Sequence, residues 1–245
     1  MKNLVAIIGS PRGYNSNTYK IAFKILQELR NRNIEILPKF FILSELEINK
    51  CIGCAKCFFN ASSCVSFRDS MDEVEKALLE SDLIIFGSPV YAHNVTGEMK
   101  IFIDRLSYML HLLKLTGKYG ITISTSSSNG NVSVDDYLNK IMLHLGINVI
   151  EQISYKDLYK NEYKNFSVCI NNIANSITSD ILTKSNELQE KIFSINKNAY
   201  LKIYQNELKN KTVLKNKEAL YWHDNRYFNF NSFKELFNEM KRKEI

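Results

Sequence analysis

Short apolar runs, each stopped by small or turn-forming residues, recur along the first 155 residues and alternate with helix-patterned stretches. Leu4–Ile8 is unbroken and apolar and is ended by Gly9, Ser10 and Pro11. That is the pattern of a strand buried on both faces. Leu83–Phe86, stopped by Gly87, Ser88 and Pro89, repeats it, and Tyr119–Ser124 and Ile147–Ile153 read as the fourth and fifth strands. Ile34–Leu43 is a further strand, and Pro38 puts it near a sheet edge. Between these runs the apolar spacing is helical. Ile21, Ala22, Ile25, Leu26 and Leu29 mark a helix over Thr18–Leu29. Met71–Leu79, capped by Asp69 or Ser70, Gly97–Leu115 as one long helix, and Val134–Leu145 follow. Five strands alternating with helices predict an α/β fold with a parallel sheet covered on both faces. Right-handed crossovers make it doubly wound.

Strand alternation stops near residue 165. Residues 176–210 are helical in pattern, and Phe233–Lys243 is a final helix. Two parts are therefore expected: residues 1–164, carrying a cysteine-rich insertion at 51–64, and a helical, aromatic-rich extension at 165–245. The extension holds Tyr221, Trp222, Tyr227, Phe228, Phe230 and Phe233, and side chains of that size rarely stay wet.

At 245 residues and 45% hydrophobic composition the chain can bury a substantial core. The formal charge of +6 is spread among acids along the chain. No recognised motif or basic cluster supports nucleic-acid binding, whereas a phosphorylated small partner is compatible with the charge. The apolar stretch before Gly9 is too short for a signal-peptide core, and no stretch reaches 18 apolar residues. The expectation is a cytoplasmic protein with no membrane partner.

Three loops leave strands at what must be the same sheet edge. Gly9-Ser10-Pro11-Arg12-Gly13-Tyr14-Asn15-Ser16-Asn17-Thr18 joins a buried strand to a helix start. Small polar side chains and free N–H groups there suit a phosphate. The loop has neither GxGxxG nor GxxxxGK[ST]. Simple helix capping by Ser16 or Asn17 is the competing reading. The second loop, Ser88-Pro89-Val90-Tyr91-Ala92-His93-Asn94, offers backbone amides and flat apolar faces. The third runs from Thr125 to Asn131. In an open α/β sheet such loops converge on a ligand crevice.

GSPR…SNT, then CxGCxxC, then SPVY…TGEMKIFIDRL, resembles the NADPH-dependent FMN reductase family of flavodoxin-like proteins, and within it the iron–sulfur flavoproteins. The resemblance covers roughly residues 1–155. It implies a flavodoxin-like sheet of order 2-1-3-4-5, non-covalent FMN, and reduction by NAD(P)H. Carried over by residue, Ser10, Arg12, Ser16, Asn17 and Thr18 match the FMN phosphate loop. Pro89, Val90, Tyr91, Ala92 and Asn94 match the segment packed on the flavin ring, and Thr125, Ser126 and Gly130 match the third loop. Lys100, Asp104 and Arg105 match a K-x-F-x-D-R helix, where pinning of loop geometry or subunit joining is the favoured role. The isolated His111, His144 and His223 are assigned surface or satisfied-core places.

Of five cysteines, four lie within 14 residues, spaced as Cys51-x2-Cys54-x2-Cys57-x6-Cys64. Such a run can wrap an iron–sulfur cubane, and the resemblance implies a [4Fe–4S] cluster. Free or redox-active thiols, and zinc, are the other occupations that the spacing leaves open. Cys169 reads as a small buried hydrophobe.

The predicted activity is an NAD(P)H-dependent, FMN-containing oxidoreductase. Its cofactor carries the chemistry, and no side chain acts as nucleophile or general base. Electrons leave to a small-molecule or protein acceptor, directly or through the cluster. A non-catalytic flavodoxin-like carrier and a redox-sensing iron–sulfur flavoprotein are the alternatives, although flavodoxins are typically acidic and carry a T-x-T-G-x-T style loop. The resemblance also implies a homodimer or homotetramer. It therefore favours a neighbouring subunit over the chain's own core as the surface covered by the extension's aromatics.

Overall fold

The computed structural model describes residues 1–157, 166–179, 182, 185–210 and 215–243. The expected boundary between residues 164 and 165 lies outside them. The described strands are β1 (Lys2–Ile8), β2 (Ile36–Ile42), β3 (Leu83–Pro89), β4 (Tyr119–Ser126) and β5 (Asn148–Lys156). They pair in parallel in the order β2-β1-β3-β4-β5. In register, β1 sets Leu4 opposite Pro38 of β2 and Leu83 of β3. On β3, Pro89 stands opposite Thr125 of β4. Pro38 sits on the edge strand, where a missing backbone donor costs least.

Successive side chains of a strand point to opposite faces, and here both faces are covered. Leu4, Ala6 and Ile8 join one core with Ile21, Ile25 and Leu29 of α1 (Asn17–Asn31). Val5 and Ile7 join the other. That second core takes Val74 of α3 (Met71–Glu80), Phe102 of α4 (Gly97–Arg105), Met109 of α5 (Ser107–Leu112) and Leu138 of α6 (Asn131–His144). The insertion contains one short helix, α2 (Lys56–Asn60), flanked by Ala55 and Ala61 in left-handed conformation.

The helix expected over Gly97–Leu115 is broken. It ends at Arg105, resumes at Ser107 and stops at Leu112, before left-handed Leu113. The Ser107 hydroxyl donates to the Asp104 carbonyl at 2.7 Å. This side-chain bond competes with the helical ladder and bends the chain.

The extension forms α7 (Phe166–Thr178), α8 (Glu187–Lys209), α9 (Lys217–Asp224) and α10 (Phe233–Lys243). Positions 180, 181, 183 and 184 of the helix-patterned stretch lie outside the described residues. Helix α7 packs on α1 and β5, α8 on α6, and α9 on α2 and α5, and their apolar residues extend the first core. Trp222, Tyr227 and Phe233 are buried, and Tyr221, Phe228 and Phe230 are half-buried against the same core. The aromatics therefore pack against this chain's own core. Trp222 packs within 6 Å of Phe193, Tyr200 and Tyr227 (5.8, 5.5 and 5.3 Å between ring centres). Its indole N–H donates to the His111 carbonyl at 3.0 Å, which ties the extension to α5.

Trp222 is the chain's only tryptophan, so its fluorescence reports on this docking. Trp222→Ala is expected to lower unfolding stability by about 3–5 kcal/mol in urea titrations, the usual cost of emptying an aromatic core site. A loss below about 1 kcal/mol would show that the extension contributes little to the folded core.

Candidate functional site

The first loop sits at the amino end of α1, between β1 and that helix. Its 3-10 turn (Gly13–Asn15) needs Gly13, whose φ is +54°. Ser16 is the N-cap of α1: its hydroxyl accepts from the Tyr19 N–H at 3.1 Å and donates to the Gly13 carbonyl at 2.7 Å. The competing capping reading is thus realised for Ser16, and its side chain is already engaged. The Lys20 N–H is taken by the Ser16 carbonyl. The N–H groups of Asn17 and Thr18 belong to the first helical turn, which leaves donors for an anion along with the positive end of the helix dipole.

Close approach between elements shapes the floor. A Cβ on Gly87 of β3 would stand 2.6 Å from the Thr18 methyl group, so α1 can reach the strand only because that residue is glycine. The Thr18 and Thr125 hydroxyls meet at 2.8 Å, joining the first loop to the third. Thr96, the N-cap of α4, donates to the Gly9 carbonyl at 2.6 Å and accepts from the Met99 N–H.

The second loop is a tight turn. Tyr91 and Asn94 exchange both backbone hydrogen bonds, and Ala92 and His93 between them have φ of 49° and 60°. Neither is glycine, so the turn carries backbone strain. The Val90 N–H goes to the Thr125 carbonyl and the Tyr91 N–H to the Asn94 carbonyl. The amides expected to face a ligand at these two positions are therefore turned into the protein. Gly130 faces this loop: its φ is +86°, and a Cβ there would lie 2.6 Å from a Val90 methyl. Behind the third loop, buried Asn131 accepts from the Ser126 hydroxyl and donates to Ser124. Burial pushes the neighbouring Asp135 carboxyl up.

Ser10, Arg12, Ser16, Asn17, Thr18, Pro89, Val90, Tyr91, Thr125 and Ser126 line one cleft at the carboxyl ends of β1, β3 and β4, with about 580 Å³ of empty space partly open to solvent. Ala92, Asn94 and Gly130 are not in its lining. Asn94 instead accepts from the Val95 N–H, and Gly130 permits the loops to touch. The cleft lies where the chain turns from β1 toward β2 on one side and β3 on the other, the switch point at which such sheets bind ligands. Ser127 and Asp157 also line it and were not singled out from the sequence. Ser127 belongs to the third loop, and Asp157 follows β5 at the same edge, so position relative to a strand end was the available signal.

Cys51 and Cys54 are exposed, and Cys57 and Cys64 are half-buried. The Gly53 N–H points at the Cys51 sulfur at 3.4 Å, and Ser66 meets Cys54 at 3.4 Å. Hydrogen bonding from Ser66 pulls the Cys54 thiol below its ordinary value. Burial pushes the Cys57 thiol up. Among the described residues no three His, Cys, Asp or Glu side chains are gathered as a metal-binding group. The four thiols thus share a loop without converging on one point. Among the described residues no helix is long and apolar enough to cross a membrane.

Residues 2–157 match the model of a family described as NADPH-dependent FMN reductase. An iron–sulfur flavoprotein of Archaeoglobus fulgidus is 42% identical over 144 residues, covering 58% of this chain and 63% of that relative. The chain therefore matches less than two thirds of that protein's length. An iron–sulfur flavoprotein of Clostridioides difficile is 30% identical over 153 residues, 62% of this chain and 67% of the relative. The solved apo form of an NADH:FMN oxidoreductase superposes with a TM-score of 0.54 at 22% identity, over 75% of this chain and 92% of that one. RosB, solved with a bound 8-demethyl-8-formylriboflavin-5'-phosphate intermediate, gives 0.56 at 12% identity, over 72% and 76%. At these identities the two solved structures share the fold.

Gly130→Ala is expected to cost at least about 1–2 kcal/mol from its left-handed backbone alone, with more from the clash at Val90. Gly97→Ala, where a Cβ meets nothing within 4 Å, is the control and is expected to be neutral or slightly stabilising. Equal stability of the two variants in denaturant titrations would show that the third loop does not need its close contact.

Proposed function

Because this chain belongs to the NADPH-dependent FMN reductase family, we propose that it is an FMN-containing oxidoreductase that takes reducing equivalents from NAD(P)H. A small-molecule or protein acceptor would receive them. The observation that carries this reading is the cleft at the β1/β3 switch point, with the amino end of α1 on one side and Pro89, Val90 and Tyr91 on the other.

The lining fits FMN in chemistry. A helix start, Ser10, Asn17 and the guanidinium of Arg12 suit a phosphate. Pro89, Val90 and Tyr91 offer an apolar wall, and Thr125, Ser126 and Ser127 a polar rim. FMN bound there supplies two-electron and one-electron redox chemistry. The protein's own contribution is anchoring and shape. Helix α1 holds the anionic end through donors that are fixed before binding, which keeps the ordering cost low. The Thr96 and Thr18–Thr125 hydrogen bonds keep the three loops in mutual register. Gly130 lets the third loop close on the second.

Cys51, Cys54, Cys57 and Cys64 would hold a [4Fe–4S] cluster. The relatives named iron–sulfur flavoproteins support this reading, and so does a donor set of four cysteines, the ligation such clusters take. A cluster there would supply single-electron transfer. Because the four thiols share a loop without being gathered as a metal-binding group, the loop's interior would have to close on the metal.

Titration of FMN-free protein with FMN tests the cleft. Asn17→Ala removes one hydrogen bond to a charged group, worth about 1.5–3 kcal/mol, so the Kd should rise by about tenfold to a hundredfold. An unchanged Kd would remove Asn17 from the phosphate site. NADH or NADPH oxidation by the FMN-loaded protein is the second measurement. Bound FMN with no oxidation of either would identify a carrier and defeat the reductase reading. Anaerobic isolation should yield about four irons and four sulfides per chain, reduced by any single Cys→Ser change in the loop. Stoichiometric zinc without iron would overturn the cluster.

A further inference from the structure

The cysteine loop is open in its middle and fastened at its base. Arg105, the last residue of α4, reaches across to that base with its side chain 2% exposed, and its partner Asp69 is 4% exposed. One guanidinium nitrogen donates to Asp69 Oδ2 at 2.6 Å and to the Asn49 carbonyl at 2.8 Å, and the other donates to Asp69 Oδ1 at 3.2 Å. Asp69 in turn accepts from the Asn49 N–H at 2.9 Å, from the Asn49 side chain at 3.1 Å and from the Met71 N–H at 3.1 Å. The Phe67 ring lies 5.3 Å from the guanidinium. Asn49 stands two residues before Cys51 and Asp69 five residues after Cys64. Both ends of the cysteine segment are thus held in one knot, with the Arg105–Asp69 pair buried and Asn49 at the surface.

We propose that Arg105 is the positioning residue of the cysteine loop: its forked guanidinium fastens Asn49 and Asp69 to the end of α4 and so fixes where the four thiols can meet. The proposal rests on the reading that these cysteines hold an iron–sulfur cluster, and it assigns the part of the chain that prepares them for it. Closing a flexible segment of this length costs entropy, and a base fastened in advance removes most of that cost from metal binding. The bond is bidentate and planar, a task for arginine and not for lysine. Burial pushes the Asp69 carboxyl up, but hydrogen bonds from Arg105, Asn49 and Met71 outweigh it and hold the pKa at about 2. A lowered carboxylate pKa means that its stabilising contribution is complete above the ordinary value of 3.8 and is lost as pH falls toward 2. The knot is therefore fully charged at neutral pH.

Thiol kinetics in the metal-free, full-length protein provide the test, alongside iron uptake. Arg105→Lys keeps the charge and loses the fork. Asp69→Asn/Arg105→Gln removes both charges together and leaves no buried ion alone, which guards against simple unfolding. With a chromogenic disulfide reagent, exposed Cys51 and Cys54 should react fast and half-buried Cys57 and Cys64 slowly. In both variants Cys57 and Cys64 should speed up by about tenfold or more, while Cys169, outside the loop, keeps its rate. Iron bound after anaerobic reconstitution should fall, with the FMN Kd unchanged. Unaltered Cys57 and Cys64 rates in both variants would overturn the proposal. So would a parallel rise at Cys169 with weakened FMN binding, which would mark the pair as a general fold element. If the wild type takes up no iron but the loop thiols still respond to Arg105, the cluster reading fails and the fastening role stands.

Discussion

Deep between β1 and β3, the Thr96 hydroxyl donates to the Gly9 carbonyl at 2.6 Å. The same oxygen caps α4 by accepting from the Met99 N–H, and the Thr96 N–H is held by Ser88. One buried side chain therefore joins the loops after the first and third strands and sets where α4 begins. Since α4 rises about 1.5 Å per residue, its start at the cleft also dictates where Arg105 arrives, at the base of the cysteine loop. The cleft and the cysteines belong to different loops, yet their places are fixed by opposite ends of one short helix.

Much of this was legible because local and global signals agree. Unbroken apolar runs marked β1 and β3, since only a parallel sheet covered on both faces tolerates Leu4–Ile8 without polar relief. Pro38 marked the edge strand, and the residues around Ser16 and Thr18 marked the cleft through their place at a helix start. The losses have specific causes. The break after Arg105 turns on the Ser107 hydroxyl reaching the Asp104 carbonyl, which apolar spacing does not register. Val90 and Tyr91 read as amide donors for a ligand, but their N–H groups close contacts with Thr125 and Asn94 that only the fold creates. Ser16 could cap or bind, and composition cannot choose between the two. Trp222 and its neighbours announce burial in sequence but not the surface they bury against.

The cysteine loop differs in kind from the cleft. The cleft is tied by buried hydrogen bonds on its floor and walls, at Thr18, Thr96 and Asn131. The loop places its order at the base and leaves Cys51 and Cys54 exposed. Elements that must rearrange around a ligand are drawn from the less stable end of a structure. The pocket is thus rigid and the cysteine loop adaptable, each built with residues the other does not use.

Strand β2 has a further consequence, for polymerisation. An exposed strand edge is a template onto which another chain can add, and natural sheets defend it with proline and charge. Here the edge strand carries Pro38, which has no N–H to offer, next to exposed Lys39, held at 2.7 Å by Glu73. Leu37 stands 54% exposed beside them and would otherwise invite an incoming strand. The sheet is thus guarded on its β2 side against growth into fibres.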